Sequence, residues 1–273
     1  MKRVSDMFFK YKEYQLYYEI YGEGQPLLIL HGWYLDHRSL YSLVEKLENK
    51  DNYQRIYLDI VGMGLSSTPN HILTNDEVVV ILEAFIKELI NKQIFSILAY
   101  SNGGYLSLGI AYDFYKQINN MILLAPVVIP NHSKRIVEKR NVKLLDIEND
   151  IHNQTLQQYL KVGSLISKNS FQLYQKDILP ALILGDKNYL IPFHDKQKAF
   201  INKNDLFNRI KNINMLFILG KHDNVVGYQD HLHLKSILNN TNFIVLDNVG
   251  HYLFIEEQDK IIKIIQEYLN NNK

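Results

Sequence analysis

Short apolar runs alternate with helical patterns along most of this chain, and that alternation limits the folds it can adopt. A short run of this kind, apolar along most of its length rather than at every second residue, is typical of a strand buried on both faces of a parallel sheet. The runs lie at 26–30, 55–60, 95–100, 119–128, 212–220 and 242–246. The sequence therefore predicts an α/β fold, with a mostly parallel sheet and helices on both of its faces.

The segments between these runs carry helix signals. Thr74 and Glu77 form the sequence pattern of a capping box, and a long apolar-periodic stretch follows them. Helices are also predicted from about 102 to 114 and at the C-terminus. The tyrosine-rich first segment alternates and ends in Gly22 and Gly24, which predicts an antiparallel hairpin or two short strands.

The pattern changes between 131 and 204. Strand-like runs mostly vanish there, and polar helical stretches, broken at Pro180 and Pro192, take their place. Because the strand–helix alternation resumes afterwards, we interpret 131–204 as a helical lid inserted into a core built from 1–130 and 205–273. Such a lid is expected to cover the substrate-binding pocket of the core and to select the substrate.

Composition excludes several classes of protein. Basic and acidic residues number 30 and 29, so no face basic enough for nucleic acid is expected. The chain has no cysteine, which rules out disulfides, thiolate catalysis and cysteine-ligated metals. The N-terminal apolar stretch is too short for an export signal, and no run reaches the roughly 20 residues of a membrane span. We therefore expect a cytoplasmic protein that acts on a small molecule, as a monomer or homodimer.

Reactive side chains follow three of the predicted strands. Ser101 follows one strand, Asp223 comes shortly after another, and His251 follows the last. Ligands in open α/β sheets bind beyond the carboxyl ends of the strands, so these residues are candidates for one site. Their order along the chain, Ser then Asp then His, is the order expected for a serine nucleophile on an α/β sheet.

The stretch around Ser101 reads A-Y-S-N-G, with Ala99 and Gly103 two residues to either side. A strand that turns sharply into a helix needs small neighbours so that the two elements can approach. In that geometry the serine hydroxyl is exposed at the start of a helix, and the Asn102 amide can donate to a developing oxyanion. The alternative is that Ser101 is only a helix N-cap, a common place for serine.

The acid has two candidates. Asp223 directly follows a strand and precedes an apolar pair, whereas Asp247 lies only four residues before His251 and is poorly placed to reach its far nitrogen. We therefore predict Asp223. His251 is one of ten histidines, and it stands out because Gly250 precedes it and an acidic helix start follows.

Taken together, these motifs resemble the α/β-hydrolase fold family, specifically its lidded serine-hydrolase branch. That branch contains carboxylesterases, lactonases, cofactor-free haloperoxidase-like enzymes and carbon–carbon bond hydrolases. The resemblance covers about 16 to 269 and rests on HGW at 31–33, DIVGMGLSS at 59–67, AYSNGG at 99–104, GKHDNVV at 220–226 and VGHYLFIEE at 249–257.

The resemblance implies further roles. The backbone amide of Trp33 would be a second oxyanion donor, and His31 would be a structural histidine. A turn near the pocket would be shaped by Asp59, Gly62, Gly64 and Ser66. A dinucleotide site at GMGLSS is disfavoured, because the third glycine of that fingerprint is absent and Pro69 follows soon after.

The leading functional hypothesis is a serine hydrolase that cleaves a small or medium, mostly apolar carboxylic ester through an acyl-enzyme, without a metal or organic cofactor. Ser101, Asp223 and His251 are the expected catalytic residues. Serine rather than aspartate at 101 argues against the dehalogenase and epoxide-hydrolase branches. Two alternatives stay open: a carbon–carbon bond hydrolase with the same triad, and a small-molecule binding protein or lyase on the same fold.

Overall fold

A mostly parallel sheet of eight strands forms the centre of the protein. The computed structural model describes residues 3–196 and 198–272. The strands of this sheet are β1 (Arg3–Tyr11), β2 (Tyr14–Tyr21), β3 (Gln25–Leu30), β4 (Tyr53–Leu58), β5 (Phe95–Tyr100), β6 (Ile118–Leu124), β9 (Asn214–Gly220) and β10 (Thr241–Leu246). A separate two-stranded sheet consists of β7 (Lys143–Leu144) and β8 (Leu165–Ile166).

Helices connect these strands and cover them. The α-helices are α1 (Tyr41–Val44), α2 (Asn75–Leu89), α3 (Asn102–Phe114), α4 (Gln154–Tyr159), α5 (Lys168–Leu173), α6 (Leu179–Leu184), α7 (Lys187–Asp195), α8 (Leu206–Ile210), α9 (Gln229–Leu232), α10 (Leu253–Glu256) and α11 (Gln258–Asn271). Short 3₁₀ turns occupy His37–Leu40, Lys50–Asn52, His132–Lys134 and His233–Ser236, and a π-helical turn occupies Tyr174–Ile178.

The strand order across the sheet is β1-β2-β4-β3-β5-β6-β9-β10. In that order, the six strands β4, β3, β5, β6, β9 and β10 pair in parallel with their neighbours. Strand β2 is antiparallel to both β1 and β4. The predicted N-terminal hairpin is therefore present and forms one edge. The carboxyl ends of the parallel strands meet along one rim, which holds the residues that follow each strand.

Helices lie on both faces because successive strand residues point to opposite sides. On β3, Leu28 and Leu30 pack into a cluster with α2 and α3, while Leu27 and Ile29 pack on the other face with α1 and α11. This bears out the predicted fold class. Helix α2 begins as predicted: Thr74 and Glu77 form a complete capping box.

The segment between β6 and β9 differs in detail from a simple helical lid. Its first half is mostly irregular and contributes β7 and β8, and its α-helices, α4 to α8, lie after 153. The acidic and amide-rich run at 146–153 favours turns over helix. Both prolines were expected to break a helix, and neither does. Pro180 is the second residue of α6 and follows the π-helical turn Tyr174–Ile178 through which α5 runs into α6, and Pro192 lies inside α7, which continues to Asp195.

The predicted ranges also include residues 1, 2, 197 and 273, which lie outside the described residues. None of the helices in the described part of the chain is long and apolar enough to cross a membrane.

Candidate active site

Ser101 occupies a strained turn between β5 and α3. Its backbone angles, φ 51° and ψ −116°, are unusual for a residue with a side chain and cost about 1–3 kcal/mol. A Cβ added at Gly103 would lie 2.4 Å from the carbonyl oxygen of His31. The strand and helix approach so closely that only glycine fits at 103, as the sequence indicated.

The Ser101 hydroxyl does not cap the helix. It makes no capping hydrogen bond with the first turn of α3. Instead Oγ lies 2.9 Å from Nε2 of His251, which comes from a loop 150 residues further along the chain. The N-cap interpretation of Ser101 is therefore not what the structure contains.

His251 in turn contacts Asp223. Its Nδ1 lies 2.8 Å from Asp223 Oδ2, while Oδ1 accepts hydrogen bonds from the N–H groups of Val225 at 2.8 Å and Val226 at 3.0 Å. Burial alone would raise the pKa of Asp223, but His251 and these N–H groups hold it below its ordinary value. An ionised carboxylate only accepts, so Nδ1 carries the imidazole proton and the lone pair of Nε2 faces Ser101.

The structure separates the two candidate acids. Asp223 is fully buried, whereas Asp247 is exposed and pairs with Lys221 at 2.9 Å. Only Asp223 reaches His251. The three side chains thus form one hydrogen-bonded chain, in which a proton can pass from Oγ to Nε2 while the carboxylate stabilises the resulting imidazolium.

Two backbone amides adjoin this chain. No hydrogen bond in the described part of the protein uses the N–H of Trp33 or of Asn102. Asn102 is the first residue of α3, whose N-terminal N–H groups have no partner within the helix. Both residues line the same cavity as Ser101, so their amides are available to a negatively charged oxygen formed there.

His31 and the 59–66 turn support the site without entering it. The ring of His31 is buried: Nδ1 donates to the Gly32 carbonyl at 2.8 Å and Nε2 accepts from the Ile60 N–H at 3.0 Å. Burial lowers the pKa of His31. A Cβ at Gly64 would lie 2.2 Å from Asp59 Oδ2, and the Ser66 hydroxyl donates to the Asp59 carbonyl at 2.6 Å.

The cavity beside Ser101 is small, with a volume of about 50 Å³. A cavity needs roughly 10–15 Å³ to hold one water, so this one holds only a few. It is lined by Trp33, Ser101, Asn102, Val127, Arg135, His194 and Val225. Arg135 and His194 come from the 131–204 segment, and sequence reasoning missed both because nothing local marks them.

Glu256 is a third residue that sequence reasoning missed. It is buried, and its carboxylate accepts from the N–H groups of Gly250 at 2.7 Å, Ser164 at 3.0 Å and Leu165 at 3.1 Å. Burial raises the pKa of Glu256 to about 7, while the three N–H groups favour the ionised form and limit the rise. This carboxylate ties β8 to the loop that carries His251. The sequence signal was the acidic helix start after His251.

No cluster of three or more histidine or acidic side chains within the described residues is arranged to hold a metal ion.

Comparison with known proteins places this architecture among characterised folds. The model of the alpha/beta hydrolase fold family matches residues 25–149. An alpha/beta superfamily hydrolase from Oenococcus oeni PSU-1 superposes with a TM-score of 0.87 and 31% sequence identity, over 93% of this chain and 95% of that one.

Two curated relatives match over nearly their whole length. The AB hydrolase superfamily protein YisY of Bacillus subtilis (strain 168) is 24% identical over 94% of this chain and 96% of its own. A proline iminopeptidase of Lactobacillus helveticus (strain DPC 4571) is 24% identical over 95% of both chains. With its parallel sheet, its serine turn and this similarity, the chain belongs to the α/β-hydrolase fold family.

Proposed function

We propose that the protein is a serine hydrolase that cleaves a small carboxylic ester through an acyl-enzyme. One observation carries the proposal: Ser101 Oγ, the His251 ring and the Asp223 carboxylate are joined by hydrogen bonds of 2.9 and 2.8 Å. Serine alone is a weak nucleophile at neutral pH, and an adjacent, correctly protonated imidazole activates it.

In the proposed reaction, His251 removes the hydroxyl proton as Oγ of Ser101 attacks the ester carbonyl. The negative oxygen that forms is held by the amides of Trp33 and Asn102, where loss of one donor typically costs about 3 kcal/mol. His251 then gives the proton to the leaving alcohol. Water, activated by the same imidazole, releases the acid and restores Ser101.

The lining of the cavity bears on which substrates fit. Proline iminopeptidase activity, suggested by one relative's name, would require a site for a positively charged N-terminus. Arg135 lines the cavity, and none of its lining residues is acidic, which disfavours a cationic substrate. The small volume favours a short acyl group, and a larger substrate requires the lid segment to move.

Labelling with a fluorophosphonate tests the nucleophile. The wild type is expected to label at Ser101, and Ser101→Ala and His251→Ala are expected to lose labelling and at least about 10⁴-fold in kcat for p-nitrophenyl acetate. Asp247→Asn, which removes an exposed carboxylate outside the site, is the matched control and should label normally. Unchanged labelling of Ser101→Ala would place the nucleophile elsewhere, and a labelled enzyme inactive on esters of every chain length would reject the ester substrate.

A further inference from the structure

Arg135 forms no ion pair with a carboxylate of the described residues. Its side chain is half-buried, and no carboxylate of the described residues lies within 4.0 Å of its guanidinium nitrogens. Other arginines behave differently: Arg38 and Arg55 pair with carboxylates, and Arg140 and Arg209 are exposed. A desolvated charge without a counter-charge is costly, and proteins seldom retain one without a use.

Backbone carbonyls hold this guanidinium in place. It donates to the carbonyls of Ile129 at 2.7 Å, Pro130 at 2.8 Å and Val225 at 3.0 Å. These bonds use three of its five N–H donors, so two remain. The carbonyls orient the side chain but do not neutralise its charge.

The two carboxylates that act on Arg135 form their bonds with other groups. Asp223 and Asp230 act on Arg135 from a distance, but Asp223 is bonded to His251 and Asp230 accepts from the Ile136 N–H at 2.8 Å. Burial lowers the pKa of Arg135, and the two carboxylates only partly oppose this effect.

The groups beside Arg135 add no compensating charge. His194 also lines the cavity, and its Nδ1 lies 3.6 Å from the exposed carboxylate of Asp195. The ring of His132 is close enough to Arg135 and His194 that both, after burial, lower its pKa. Among the described residues that line the cavity, Arg135 is therefore the one with a permanent charge.

We propose that the substrate is a short carboxylic ester that also carries one ionised carboxylate. Arg135 binds this carboxylate while Ser101 attacks the ester carbonyl. Both residues line the same cavity of about 50 Å³, so the two groups are separated by only a few bonds, as in a half-ester of a short dicarboxylic acid. This inference rests on the proposed esterase function, and it replaces a mostly apolar substrate with one that has an anionic end.

A pair of matched substrates tests the inference. Monoethyl succinate carries the carboxylate, and ethyl levulinate has the same shape with a neutral methyl ketone in its place; ethanol release measures both. The wild type is expected to prefer monoethyl succinate at least about 10-fold in kcat/KM, mainly through KM, because a charge-assisted hydrogen bond is lost with the neutral ester. The preference should shrink as salt is added.

Variants assign that preference to Arg135. Arg135→Met should abolish it, Arg135→Lys should keep part of it, and Lys134→Met, which removes an exposed neighbouring cation outside the cavity, should leave it unchanged. Because Arg135 also holds three carbonyls, a variant that loses turnover of both esters would not separate binding from structure. The second readout is therefore protection of wild-type Ser101 from fluorophosphonate, in which succinate should slow labelling more than its neutral analogue succinamide.

The outcomes separate the two proposals. If Ser101 does not label at all, the esterase function fails. If Ser101 labels, but the wild type hydrolyses ethyl levulinate as well as monoethyl succinate, or succinamide protects as well as succinate, only the carboxylate site is overturned.

Discussion

Replacing Gly103 with alanine tests the geometry that places Ser101. The added methyl would lie 2.4 Å from the carbonyl oxygen of His31 and 2.6 Å from that of Leu30. Both are backbone atoms at the end of β3, so no side-chain rotation can relieve the contact. Ordinary contact begins near 3.4 Å, so the start of α3 would have to move away from β3 by up to about 1 Å.

The expected cost follows from two opposing effects. Overpacking in a tightly packed interior costs about 1–3 kcal/mol, and two fixed oxygens place Gly103→Ala near the upper end. Alanine favours a helix over glycine by up to about 1 kcal/mol, which offsets part of this. The net loss should be about 2 kcal/mol. The movement would also shift Ser101 relative to Trp33, and a misplacement of about 1 Å can cost about 10²-fold in rate.

Urea unfolding and ester turnover measure the two effects. Gly185→Ala is the matched control, since its methyl would meet only the movable end of Leu190 at 3.0 Å, and it should change stability by less than about 1 kcal/mol. If Gly103→Ala were as stable and as active as the wild type, the close approach would not be what requires glycine at 103.

Two further outcomes are expected. Glu256→Leu leaves three buried N–H groups without an acceptor and should lower the free energy of unfolding by about 3 kcal/mol or more; a loss no larger than that of Glu257→Leu, measured by urea unfolding, would contradict this. The pKa of Asp223 is lower in the fold than its unfolded value of about 3.9, so its contribution to stability is present above that pH and is lost as pH falls through the folded pKa. The free energy of unfolding of Asp223→Asn should therefore fall less steeply with decreasing pH than that of the wild type. An equally steep fall would refute a lowered pKa of Asp223 in the fold.

The sheet could be predicted because its information is local. The central strands are mostly apolar, since helices cover them on both faces, and the boundaries of β5 and α3 agree with the sequence pattern to the residue. Adjacency to a strand does not separate Asp223 from Asp247, because Asp247 directly follows β10 whereas Asp223 lies three residues after the end of β9. Asp223 was distinguished by the apolar pair that follows it and by its greater distance in sequence from His251. In the structure that position carries the carboxylate to the rim where His251 lies.

The contacts that the 131–204 segment makes with the site could not be predicted in the same way. Arg135 touches the cavity because backbone carbonyls from 129, 130 and 225 hold it there. Glu256 matters because it bonds to Ser164 and Leu165, more than 90 residues earlier. A single arginine or glutamate looks the same in the sequence whether it faces solvent or a buried N–H, so contacts between distant segments leave no local pattern.

The strain at Ser101 explains which residues around it are restricted. Its N–H donates to the Leu124 carbonyl at 3.0 Å, and its carbonyl accepts from the Val127 N–H at 3.0 Å. These backbone bonds hold the strained angles whatever the neighbouring side chains are, so the surroundings need only leave room. The serine motif of this fold family usually reads G-x-S-x-G, and Ala99 takes the place of its first glycine. Ala99 is completely buried and still fits, whereas Gly103 faces backbone oxygens and leaves no room for a substituent. The turn therefore tolerates variation on its strand side and not on its helix side, which is why one departure from the motif leaves the geometry of Ser101 intact.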